Sequence, residues 1–186
     1  ELEPHSSGLI FEDKCIKIFN FPLKHRIPTH GYRIQEKPAL RKLLKEKFDA
    51  TGVSIAYIKK LIQGEDIVDN RGVEVKSDDV TLPPIRTRAY AFCSDTAYSE
   101  SVLPHIKDID LLYHESTFLD AEAERANETY HSTAKQAATI AQKADAKRLI
   151  LGHFSSRYKD LSDFKKEAET IFNNVSIPSD GDVFVI

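Results

Sequence analysis

Apolar positions along the chain fall into short runs separated by charged or turn-forming clusters. The runs at 9–11 and 15–19 flank the polar Glu12-Asp13-Lys14 and predict a hairpin, and 31–34 predicts a third short strand. Pro38 suits a first helical turn, and Leu40, Leu43 and Leu44 then recur at helical spacing, which predicts a helix over 38–48. Ser54 is a candidate cap for a second short helix ending at Ile62, closed by Gly64. Residues 65–84 are charged and turn-rich and end in Pro83-Pro84.

The second half alternates more regularly. Strands are predicted at 88–93, 110–113, 148–151 and 183–186. Ser132 is expected to cap a helix to about Ala144, with Ala134, Ala137, Ala138 and Ala141 on one face, small enough for close packing on a sheet. Ser162 is expected to cap a last helix striped by Phe164, Ala168, Ile171 and Phe172. Strand, loop and helix in alternation indicate the α/β class.

At 186 residues the chain suits one domain with one sizeable core, and 41% apolar with 30% charged residues is ordinary for a soluble globular protein. No apolar stretch reaches membrane-spanning length and no signal-peptide pattern opens the chain, so a cytoplasmic protein with no membrane partner is expected. Cys15 and Cys93 lie on apolar runs and read as reduced core residues. Methionine is absent even at position 1, so the chain is expected to be a processed or truncated piece.

The net charge of −3 makes no global case for nucleic-acid binding. Locally, Lys37, Arg41, Lys42, Lys45, Lys47, Lys59 and Lys60 face only Glu46 and Asp49, a balance of +5 over 37–60. Such a basic arm can hold phosphates, although two solvated helix faces would read the same way.

Candidate chemistry sits where hydrophobic runs give way to polar residues. His25 follows one run, Asp95 a second and His153 a third. Two imidazoles and a carboxylate suit zinc or another borderline divalent metal, and a carboxylate can bridge two ions. Gly152 is expected to let the backbone turn sharply before His153, and Arg157 could hold a phosphate bidentately. His114-Glu115 ends another strand and His131 precedes the alanine-rich helix. Glu115 near His131 would orient that imidazole, raise its pKa and let it protonate a leaving oxygen. Each residue alone reads more readily as a structural turn or core group, whereas five such patches together favour a site.

In order and wording, Leu23-Lys-His-Arg-Ile-Pro-Thr-His-Gly-Tyr-Arg, Phe92-Cys-Ser-Asp-Thr, Leu112-Tyr-His-Glu-Ser-Thr-Phe, His131-Ser-Thr-Ala and Leu149-Ile-Leu-Gly-His-Phe-Ser-Ser-Arg-Tyr resemble ribonuclease Z, a metal-dependent endonuclease that trims precursor tRNA at its 3′ end. The resemblance implies the metallo-β-lactamase fold, an αββα sandwich with two zinc ions between similar halves. It implies that His25 and His153 each ligate zinc, that Asp95 bridges, that Glu115 and His131 assist proton transfer with His114 beside them, and that Arg157 contacts phosphate. An inserted basic arm at 38–70, with Lys59 and Lys60, would grip precursor tRNA, although the family's glycine-proline-rich tip is replaced here by Gly52-Val-Ser-Ile-Ala-Tyr.

The family's His-x-His-x-Asp-His motif is absent, and His5 is the only histidine before His25. The chain therefore looks like the C-terminal half, a mixed sheet with flanking helices and a protruding helical arm. Three ligands would not hold two zinc ions in the family's manner, so this portion is expected to be inactive alone. Its expected partners are the missing N-terminal half and a second copy joined through exposed apolar sheet surface. The alternatives are a phosphodiesterase of this fold acting on small substrates, or a non-catalytic RNA-binding or assembly half.

Overall fold

The computed structural model describes residues 3–186. These divide into two compact units, one of 3–36 with Arg88–Ile186, the other Lys37–Thr87. The first unit opens with β1 (Gly8–Glu12), β2 (Ile16–Leu23) and β3 (Thr29–Glu36). The second contains β4 (Lys42–Leu43), α1 (Lys45–Ala50), α2 (Ile58–Ile62), β5 (Ile67–Val68), β6 (Glu74–Val75), α3 (Ser77–Val80) and β7 (Thr81–Leu82). The first then resumes with β8 (Ala89–Cys93), α4 (Leu103–Ile106), β9 (Leu111–Glu115), α5 (Ala123–Glu128), α6 (Ala134–Lys143), β10 (Leu149–Gly152), α7 (Ser162–Glu169) and β11 (Val175–Ser176).

One seven-stranded sheet orders the first unit as β1-β2-β3-β8-β9-β10-β11. β1, β2, β3 and β8 pair antiparallel, and β8 through β11 run parallel. The expected hairpin forms because the Asp13 carboxylate accepts from the N–H groups of Cys15 (2.7 Å) and Ile16 (2.8 Å), which closes the turn. Ala89, Ala91, Cys93, Leu112, Leu149 and Leu151 form the core side of the sheet. Ala134, Ala137, Ala138 and Ala141 of α6 pack there fully buried, so the small face does bring helix and sheet close. Phe164 and Ala168 of α7 complete this layer.

Strand register places Ile18, Tyr32, Ile34, Tyr90, Phe92, Leu111, Tyr113 and Ile150 on the opposite face. That face is apolar and mostly half-buried, with Phe92 and Tyr113 stacked at 4.7 Å.

Several sequence expectations shift by a residue or more. Thr133, not Ser132, caps α6, in a capping box with Gln136. The Ser132 N–H and hydroxyl are already committed, to Glu115 and to the Thr96 carbonyl. Ser162 is the first residue of α7 rather than its cap, and its N–H is taken by the Asp160 carboxylate at 2.9 Å. Residues 183–186 form no strand: the sheet ends at β11, while Val183 and Val185 are 87% and 84% exposed. Cys15 is exposed, and only Cys93 is a core thiol; both are free.

The second unit has its own core of Phe48, Val53, Leu61, Ile67, Val75 and Val80. The helix expected from Pro38 does not begin there. The Arg41 and Leu44 N–H groups go to the carbonyls of Ile62 (2.9 Å) and Val80 (2.8 Å), and β4 pairs with β7, so tertiary partners take the donors that a helix would use. The helix starts only at Lys45. Ser54 does accept from Ala56 N–H, and Gly64 takes the positive φ (+91°) that ends the segment. The turn-rich stretch folds into β5, β6, α3 and β7 around Asp69, whose carboxylate accepts from the N–H groups of Arg71 and Val73, both at 2.9 Å. Among the described residues no helix is long and apolar enough to cross a membrane.

Candidate metal centre

The C-terminal ends of the parallel strands β8, β9 and β10 deliver their last side chains to one place, as expected of the carboxyl edge of an α/β sheet. Asp95 lies just beyond β8, Glu115 ends β9, His153 follows β10 and His131 precedes α6. Ligand-capable atoms of these four all lie within 4.8 Å of one another. His25, in the loop after β2, adds an imidazole whose ring centre is 5.3 Å from that of His131, and the His131 ring lies 5.2 Å from that of His153.

Asp95 (φ +57°), Tyr130 (+60°) and His153 (+58°) are all left-handed non-glycine residues. Such conformations persist only where surrounding bonds over-determine them, and they concentrate at functional sites. Here the bonds converge on Glu115, whose side chain is fully buried. One carboxylate oxygen accepts from Thr96 N–H (2.7 Å) and His131 Nδ1 (2.8 Å). The other accepts from the Thr117 hydroxyl (2.7 Å) and from Ser132 N–H (3.0 Å). Burial alone would raise this carboxyl's pKa, but the donors from His131, Ser132 and Thr117 outweigh it and hold Glu115 below the ordinary range. Both oxygens are saturated, so Glu115 orients the cluster and is a poor metal ligand despite its proximity. His131 is raised by its bond to Glu115, against opposing burial, with the Glu115 and Asp95 charges adding to the rise.

His153 Nε2 stands 3.0 Å from Asp95 Oδ1. Its Nδ1 lies 2.9 Å from the Thr117 hydroxyl, whose proton is directed to Glu115 at 2.7 Å. With Nδ1 engaged by Thr117, Nε2 faces the carboxylate at a distance that a shared proton or a shared metal ion would bridge. His25 Nδ1 lies 3.0 Å from the Tyr130 carbonyl, which can only accept, so Nδ1 donates and Nε2 is left as a ligand. An imidazole fixed through its second nitrogen is the usual arrangement at metal centres, so the donor set fits a divalent ion.

The other sequence candidates lie elsewhere or do something different. His114 is 2% exposed with Nδ1 on the Glu115 carbonyl (2.8 Å), and burial lowers its pKa, so it fills the core beneath the site. Arg157 lies at 3.1 Å from Glu122 with its guanidinium over the Phe118 ring. Lys59 and Lys60 are exposed on α2 of the second unit. Gly152 does not make the sharp turn, since it is not among the positive-φ glycines and His153 itself is left-handed. Thr96, Thr117 and Tyr130 escaped the sequence reading. Thr96 and Thr117 directly follow singled-out motif residues, but their hydroxyl and amide roles have no sequence signature.

Comparison with known proteins bears on this geometry. Residues 80–154 match the family model of the beta-lactamase superfamily domain. Ribonuclease Z of Cytophaga hutchinsonii is 44% identical over 100% of this chain and 59% of its own length. The chain matches part of a ribonuclease Z. The Parabacteroides distasonis ribonuclease Z agrees, at 41% identity over 97% of this chain and 59% of that protein. The chain thus spans about three-fifths of the length of the ribonucleases Z it matches. Two solved structures share the fold: the metallo-beta-lactamase fold protein YhfI of Bacillus subtilis (TM-score 0.63, 17% identity, 99% of this chain and 54% of that one) and human tRNase Z, short form (0.57, 24%, 98% and 48%). The mixed sheet with flanking helices expected from sequence is this metallo-β-lactamase architecture, in part.

Proposed function

We propose that the parent protein is an endoribonuclease that trims precursor tRNA at its 3′ end, and that this chain carries one side of its zinc centre. The observation that carries the reading is the Asp95–His153 pair, an imidazole nitrogen and a carboxylate oxygen held 3.0 Å apart on left-handed backbone. Zinc, when bound, supplies a Lewis acid and an activated water at neutral pH. Asp95, His153 and His25 would hold it. His131, its Nδ1 fixed by Glu115, presents Nε2 as the acid that protonates the departing 3′ oxygen, which leaves a 3′-hydroxyl on the tRNA. Arg157, Lys59 and Lys60 would contact the RNA backbone, the two lysines as part of a basic arm at 38–70.

The greater length of the relatives supports a missing portion that packs on the apolar sheet face around Phe92 and Tyr113 and completes the ligand set. Where that portion is lacking, a second copy covers the face. The lack of a membrane-crossing helix among the described residues is compatible with the cytoplasm, where precursor tRNA would be met.

The test is reconstitution. The chain is loaded with zinc and mixed with the front portion of a relative, then given precursor tRNA and bis(p-nitrophenyl) phosphate. Cleavage of the tRNA that weakens when 37–87 is deleted, with the small ester still hydrolysed, supports the proposal. Equal loss or equal retention of both activities counts against tRNA as the substrate. Zinc uptake without any hydrolysis counts against the catalytic reading.

A further inference from the structure

Arg33 occupies a position that the sheet gives to its core side. On β3 it pairs with Phe19 of β2 and with Ala91 of β8, and Ala91 is fully buried. Charged groups are rare on such a face unless an opposite charge comes with them. Here none does. Nη1 donates to the carbonyls of His105 (3.1 Å) and Lys107 (3.0 Å), at the end of α4. Nε is buried without a partner, and among the described residues nothing accepts from Nη2. The carboxylates whose charges reach Arg33 are Asp108 and Asp110, and neither takes a hydrogen bond from it. Asp110 already accepts from Ala89 N–H and from the Lys147 ammonium, both at 2.8 Å.

Arg33 lines a cavity of about 240 Å³ together with Phe19, Gln35, Pro104 and His105. Gln35 stands two residues further along β3 and therefore shares the Arg33 face. The His105 ring lies flat on Phe21, with ring centres 5.1 Å apart. A buried donor with no acceptor is costly, so such a group calls for a water, an ion or a ligand. The guanidinium geometry narrows the choice. Nε–H and Nη2–H point the same way along one edge, a fork that matches the two oxygens of a carboxylate. The chain shows that match elsewhere: Glu36 accepts from Arg88 Nε at 2.9 Å with one oxygen and from Nη2 with the other. At Arg33 the same fork is preset by the anchored Nη1, and no described side chain engages it.

We propose that this cavity binds a small organic monocarboxylate, its oxygens side-on to Arg33 Nε and Nη2 and its carbon chain against Phe19 and Pro104. A single negative charge suits the place better than a phosphate dianion, because Asp108 and Asp110 repel any further charge brought to Arg33. The inference does not rest on the metal centre or on tRNA as the substrate.

The experiment uses the metal-free 186-residue chain, titrated in turn with butyrate, its neutral counterpart butyramide, and inorganic phosphate. Nitrogen-15 NMR follows the arginine Nε–H signals. Butyrate is expected to shift the Arg33 signal saturably, and butyramide to leave it unmoved. Arg33→Lys should weaken butyrate at least ~10-fold, since an ammonium has no fork. That variant also loses the bonds to α4, so Gln35→Glu serves as the second. It keeps Arg33 and places a competing carboxylate on the same face, and butyrate should again weaken about 10-fold. No shift of the Arg33 signal up to about 100 mM butyrate overturns the proposal, as binding so weak is not specific. Phosphate that shifts the signal as well as butyrate overturns the carboxylate assignment. Equal binding of butyramide means that the cavity takes apolar chains without the fork, and overturns it too.

Discussion

Glu115 Oε1 lies 2.8 Å from His131 Nδ1, and the same carboxylate bonds the backbone on either side of the cluster, at Thr96 and at Ser132. One buried side chain therefore ties the loop after β8, the end of β9 and the start of α6 into one body. The catalytic candidate His131 is oriented by the same group that holds the folded edge of the sheet together.

Replacement of this group tests the dual role. Glu115→Gln keeps the volume but loses the charge and places an amide N–H₂ where one of the donors points. The stability of the metal-free chain should fall by about 3 kcal/mol, as for other disrupted buried charge networks. Urea denaturation checks this. A loss under about 1 kcal/mol would mean that the donors around the carboxylate find other partners.

The pair also sets a pH dependence in the metal-free chain. His131 is raised above its ordinary 6.5 by Glu115, so its contribution is complete below 6.5 and is lost as pH rises through the folded value. Glu115 is held below its ordinary 4.5, so its contribution is complete above 4.5 and is lost as pH falls through the folded value. Stability should peak between these ordinary values and decline on both sides. Glu115→Gln should flatten both limbs in urea midpoints taken from about pH 3 to pH 9.

Asp95 combines a ligand position with a left-handed backbone. Asp95→Gly relieves the strain, and the metal-free chain should gain about 1 kcal/mol once the extra unfolded-state freedom of glycine is subtracted. Zinc affinity should fall by about 100-fold or more in the same protein, read by calorimetry. Gain in one property with loss in the other identifies Asp95 as a residue retained for its site and not for the fold.

The two thiols should separate cleanly. Burial pushes Cys93 up to about 12, while Cys15 is exposed on the hairpin turn. A thiol reagent at neutral pH should modify Cys15 at once and reach Cys93 only on unfolding. Mass spectrometry of the native adduct distinguishes one site from two.

Short apolar runs bounded by turn-forming or charged residues were sufficient to locate β2, β3, β8, β9 and β10. Strand-end positions then picked out His25, Asp95, Glu115 and His153, and the start of the alanine-rich helix picked out His131; the fold brings all five side by side. Sequence failed where a local preference met a tertiary partner. Pro38 and the leucines after it favour a helix, yet the N–H groups of Arg41 and Leu44 are claimed by distant carbonyls. Residues 183–186 have strand composition, but no ladder in the described structure takes them. Position along the chain likewise grouped His114 with Glu115, although alternate strand residues face opposite sides, and His114 points into the core while Glu115 serves the site. The sequence by itself determined the α/β alternation and which side chains could carry chemistry, since both follow from local periodicity and residue type. Only the tertiary structure decided that Asp95 and His153 face each other, that Glu115 is saturated and that Gly152 makes room for Tyr113, because these depend on the register of three strands that are far apart in the chain.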